Sequence, residues 1–117
     1  MLFTDLIQEA VEVHGVETLA KLFGATPGTI SRWASGNSVP ASVAQDMMFD
    51  ILDEGSFAAR VERSLETLDA RDIARRLEVA TSTVSRWARG ASCPGIYSRS
   101  HFCKELEEMK RSNAGVT

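Results

Sequence analysis

Apolar residues near the start of the chain recur at helical spacing. Phe3, Leu6, Ile7, Ala10, Val11 and His14 fall on one face of a helix. Gly15 closes it, and a short helix is predicted from Val16 to Phe23. Gly24 is the turn, Thr26 the N-cap and Pro27 the first residue of a third helix, which carries Ile30 and Trp33 inward and stops at Gly36. Beyond a loop through Pro40, Ser42 and Gln45 have the spacing of a capping box, and Ala44, Met47, Met48, Ile51 and Leu52 make the stripe of a fourth helix. No stretch alternates as a strand does, so the expected class is all-α.

The pattern then repeats. Ser31-Arg32-Trp33-Ala34 recurs as Ser85-Arg86-Trp87-Ala88, an offset of 54 residues. The same offset pairs Phe3 with Phe57, Glu12 with Glu66, Ala20 with Ala74, Thr29 with Thr83, Gly36 with Gly90, Ser38 with Ser92, Pro40 with Pro94 and Leu52 with Leu106. A fixed period of this length marks a duplicated structural unit. The expected organisation is a first repeat at 1–54, a second at 55–110 and a polar tail at 111–117. In the second repeat, Phe57, Val61, Leu65 and Leu68 belong on the first helix, with Asp69 as N-cap of the next. Ile73, Ala74 and Leu77 fall on that second helix, Val84 and Trp87 on the third, and Phe102, Leu106 and Met109 on the last. Gly55 and Ser56 alone are expected to separate the repeats. Two extended residues span at most about 7 Å, so the copies are expected to pack closely, as suits units small for an independent core.

Composition narrows the function classes. With 44% hydrophobic and 25% charged residues the chain has a globular make-up, and its apolar runs are far shorter than a membrane span. A secretory signal is not expected, because Asp5 and Glu9 interrupt the first apolar face; a cytoplasmic location follows. Cys93 and Cys103 are too few to frame a disulfide scaffold. His101 lies two residues from Cys103 on a helix and points elsewhere, so no metal or other cofactor is expected. His14 and His101 have no nucleophile or carboxylate at a motif spacing, and no glycine loop cradles phosphate, so catalysis is not expected either.

The net charge of −3 is unevenly spread. Residues 1–54 hold Lys21 and Arg32 against eight acids, whereas residues 55–117 hold eleven basic and eight acidic residues. Attraction to phosphate is thereby expected mainly in the second half.

A short helix with an inward alanine, a tight turn, and a second helix with an inward branched residue and Trp is a helix-turn-helix arrangement. The run from Leu19 through Gly24 and Ala25 to Thr29-Ile30-Ser31-Arg32-Trp33, followed by Gly36 and Pro40, resembles the Cro and lambda-repressor type of bacterial and phage regulators. The resemblance covers the first repeat and continues through the second. It departs from the family pattern at Glu78, where the turn glycine would stand, at Ala80, where Thr26 caps the first copy, and at Ala34 and Ala88, where an acidic residue often follows the Trp.

The resemblance implies a four- to five-helix fold whose third helix enters the major groove of double-stranded DNA. The DNA-facing residues would be Thr26, Pro27, Gly28, Ser31, Arg32 and Ser35 in the first repeat, and Ala80, Thr81, Ser82, Ser85, Arg86 and Arg89 in the second. Arg clasps guanine or phosphate, and hydroxyls serve either. Arg71, Arg75 and Arg76 on the preceding helix could reach the backbone, or pair with Asp72 and Glu78 on a solvated helix. Trp33 and Trp87, on the apolar phase, are read as core. If the copies are related by a two-fold, their recognition helices would lie about 34 Å apart, a repressor-like dimer made within one chain; a further homodimer stays open. The competing reading is an adaptor that docks on RNA polymerase or another regulator through the acidic first repeat, with DNA binding limited to the second.

Overall fold

A computed structural model describes residues 2–116, and among them there are eight helices and no strand. These are α1 (Phe3–His14), α2 (Val16–Phe23), α3 (Pro27–Ser35), α4 (Ser42–Leu52), α5 (Glu54–Ser64), α6 (Ala70–Leu77), α7 (Thr81–Ala88) and α8 (Ile96–Val116). The chain divides into two units after Leu52. No described helix is long and apolar enough to cross a membrane.

In the first unit α1 packs on α2, α3 and α4, and α2 packs on α3. The expected apolar face is the buried one: Phe3, Leu6, Ile7 and Ala10 of α1 meet Leu19, Ala20 and Leu22 of α2, Ile30 and Trp33 of α3, and Met48 and Ile51 of α4. Phe3 contacts the Trp33 ring edge-on at 6.0 Å between centroids and Phe49 at 6.2 Å. Gly15 joins α1 to α2 alone, at φ 88°, and its N–H bonds to Val11 O. Few L-residues adopt that conformation, so glycine is what lets one helix follow the other without a linker.

In the second unit α7 packs on α5 and α6, and α8 covers both of those helices. Phe57 meets Trp87 edge-on at 5.7 Å, the same aromatic pair 54 residues later, and Phe102 lies over Trp87 at 5.0 Å. Ile73, Ala74, Leu77, Val84 and Leu106 are buried as expected, with Phe102 and Met109 half-buried. Cys103, which carried no core expectation, is fully buried.

Four local expectations are corrected. Asp69 stands where Gly15 does and cannot make the sharp joint. Helix α5 therefore ends at Ser64, and Leu65 and Leu68 lie half-buried in the turn after it rather than on the helix. Asp69 caps α6 instead, accepting Arg71 N–H at 2.9 Å. The capping box at Ser42 does not form, because Ser42 is already helical and the Gln45 amide donates to Pro40 O at 2.8 Å. Gly55 and Ser56 are not a linker: Asp53 accepts Gly55 N–H at 2.9 Å and starts α5 one residue after α4. Lastly, Arg111 and Ser112 belong to α8 and not to a tail, since neither proline nor an early glycine stops that helix.

Candidate nucleic-acid interface

Helices α2 and α3 are joined through Gly24, which adopts φ 66°, ψ 32°. Thr26 follows as N-cap of α3, its Oγ1 accepting Thr29 N–H at 3.2 Å, and Pro27 opens the helix. With Ile30 and Trp33 buried, the 3.6-residue period turns the other side of α3 outward. Thr26, Pro27, Gly28, Ser31, Arg32 and Ser35 are accordingly all exposed. Ser35 Oγ donates to Arg32 O at 3.1 Å, which leaves its own lone pairs for an external donor.

The second unit reproduces the turn with a residue unsuited to it. Glu78 takes φ 59°, ψ 43°, the only positive φ outside glycine among the described residues. Ala80 stands at the N-cap of α7 and offers no side-chain acceptor. Ala80, Thr81, Ser82, Ser85, Arg86 and Arg89 are exposed, like their counterparts. No described carboxylate pairs with Arg32, Arg86 or Arg89.

The three arginines of α6 divide. Arg71 is exposed, and Arg75, with 82% of its side chain exposed, lies 4.0 Å from Asp72. Arg76 bonds to Glu105 through Nε and to Glu108 through Nη2 at 2.9 Å. Those two carboxylates, Glu105 first, hold its guanidinium protonated beyond the ordinary range. Comparison at the 54-residue offset accounts for the difference. Arg76 stands where the first unit has buried Leu22, so it faces α8, whereas Arg75 stands where the first unit has exposed Lys21.

Arginine also stands at two buried positions where the first unit has an uncharged residue. Arg60, only 8% exposed, replaces Leu6 and reaches Glu107 at 2.9 Å. Arg99, 5% exposed, replaces Gln45. Three of the second unit's eleven cations are therefore engaged within it, Arg60 and Arg99 buried and Arg76 at its surface.

Acidic residues show the complementary pattern. Although the chain holds 16 acids in 117 residues, none occurs from Thr18 to Gln45 or from Val79 to Lys104. The first stretch contains Lys21 and Arg32, and the second Arg86, Arg89, Arg99 and Lys104. They hold the two turn-flanking helices α3 and α7 and the loops that follow. The first unit's acids lie on α1, at the start of α2 and on α4. Lys21, not among the expected contacts, is the residue that alignment at the 54-residue offset would have found, through Arg75.

No protein-family model matches the chain, and no curated protein or solved structure is detectably similar to it.

Proposed function

We propose that this chain is a sequence-specific double-stranded DNA-binding transcriptional regulator of the Cro and lambda-repressor type, a tandem duplication that reads two unlike half-sites through α3 and α7. The observation that carries the proposal is the pair of acid-free stretches in an otherwise acidic chain, each containing an exposed helix face with hydroxyls and an unpaired arginine. A polyanion selects against carboxylates at its contact surface more strictly than it requires a positive total charge. Arg32 and Arg86, at equivalent positions, are the candidate base or phosphate contacts, and Lys21 and Arg75 the candidate backbone contacts. Thr26-Pro27-Gly28 against Ala80-Thr81-Ser82, and Ser35 against Arg89, give the two faces different donors, so the half-sites differ. The setting is the bacterial or phage-infected cytoplasm.

The test is duplex binding titrated with salt. Arg86→Ala is expected to weaken binding about tenfold or more, and Arg89→Ala to flatten the log–log salt slope by about one. If both variants bind as the unaltered chain does, α7 is not the contact. If the unaltered chain shows no salt-dependent binding at all, the adaptor reading takes its place.

A further inference from the structure

Cys93 lies in the loop between α7 and α8 and is half-buried, whereas Cys103 is fully buried within α8. Its neighbour is the Arg99 guanidinium, whose Nη1 donates to Cys93 Sγ at 3.4 Å and stands 3.8 Å from a carboxylate oxygen of Glu54, an exposed side chain. Arg99 is 5% exposed, and its Nε–H is buried without an acceptor. Orphaned donors of this kind are uncommon and costly. The fold does not require one here: the first unit places Gln45 at the equivalent position, and its amide makes a normal bond to Pro40 O.

A thiol sulfur is a weak acceptor, so the Arg99 Nη1–H that faces Cys93 is a strong, charged donor to a group that barely answers it. An oxygen carried on that sulfur would answer it with a charge-assisted hydrogen bond. We propose that Cys93 is an oxidation site at which a hydroperoxide forms a sulfenic acid that Arg99 holds.

The step balances. The Cys93 thiolate attacks one peroxide oxygen, the S–O bond forms and the O–O bond breaks. Sulfur is oxidised by two electrons, and the departing oxygen takes up a proton to leave as water when the oxidant is hydrogen peroxide. A small thiol reverses it by attacking the sulfenic sulfur, giving a mixed disulfide and water and then, with a second thiol, the free cysteine. Burial pushes the Cys93 thiol up while the Arg99 contact pulls partly the other way, so little thiolate is present near neutrality. The site is therefore slow to oxidise. The oxidised side chain would tie the loop after α7 more firmly to α8. The inference does not depend on the DNA reading.

The experiment treats the full chain with hydrogen peroxide, traps sulfenic acid with dimedone and locates the adduct by peptide mass spectrometry. Cys93 is expected to carry the adduct and Cys103 to stay unlabelled. Arg99→Gln, which installs the first unit's residue, is expected to lower the trapped fraction about fivefold, the population change one ordinary hydrogen bond produces. Far-ultraviolet circular dichroism checks its fold. Arg99→Lys, which keeps the charge but loses the planar fork, should fall between the two. Equal labelling of both cysteines, a Cys93–Cys103 disulfide in place of the adduct, or unchanged labelling in both Arg99 variants overturns the proposal.

Discussion

At the scale of single residues, the second unit shows how the same position can be filled at different cost. Glu78 and Gly24 share a left-handed turn, but an L-residue there carries a penalty of about 1–2 kcal/mol, from which glycine's extra unfolded-state entropy subtracts about half. Glu78→Gly is thus expected to stabilise the second unit by about 0.5–1 kcal/mol, read as a rise of several degrees in Tm. In the reverse direction, Gly24→Ala should destabilise the first unit by about 1 kcal/mol through backbone strain alone, since a Cβ at Gly24 meets nothing within 4 Å. A fall in Tm for Glu78→Gly would show that the Glu78 side chain contributes more than its backbone costs. Arg75 and Arg76 make a second residue-level contrast. Arg75→Gln is expected to flatten the salt slope of duplex binding by about one, whereas Arg76→Gln should leave it unchanged, because its partners are Glu105 and Glu108. Equal slopes for the two variants would mean that α6 does not meet the backbone in this way.

Helix termini explain most of what differs between the two units at the scale of elements. Thr26 caps α3 through Thr29, and Thr83 waits at the same place in α7 behind an alanine. Ala80→Thr is expected to add about 0.5–1 kcal/mol to the second unit, and Thr26→Ala to remove about 1 kcal/mol from the first, both measured by urea unfolding. An Ala80→Thr midpoint at or below that of the unaltered chain would contradict this. Every helix of the first unit was legible from its apolar spacing and glycine stops, because Ile7, Leu19, Ile30 and Ile51 sit deep in the core at regular phase. The second unit was less legible for a physical reason. Arg60, Arg76 and Ser64 occupy buried or inward positions that hydrophobic periodicity reads as surface, and Ser64 satisfies its hydroxyl on Arg60 O at 2.9 Å, out of reach of a pattern search. Only comparison with Leu6, Leu22 and Ala10, 54 residues earlier, marks those positions as inward-facing.

For the whole molecule, total charge was a poor guide and its placement a better one. Dividing the chain after Leu52 moves Asp53 and Glu54 into the second unit, leaving two cations against six acids in the first and eleven against ten in the second. Three of those eleven are engaged within the unit, but so are Glu54, Glu105, Glu107 and Glu108, so this pairing leaves the second unit's balance of charge as its composition gives it. The first unit's acids, in turn, leave α3 and its loop clear. Both units therefore present an acid-free helix face with hydroxyls and an arginine, which is what the proposed DNA reading requires, with unlike side chains at its ends. The measurement that tests this most directly is selection of bound duplexes from a random pool by the unaltered chain, repeated with Arg32→Ala, Arg86→Ala and the double variant. The account predicts enrichment of a site with two dissimilar halves, loss of preference in one half for each single variant, and no enrichment for the double. No enriched sequence with the unaltered chain, or the same sequence enriched by the double variant, would contradict it.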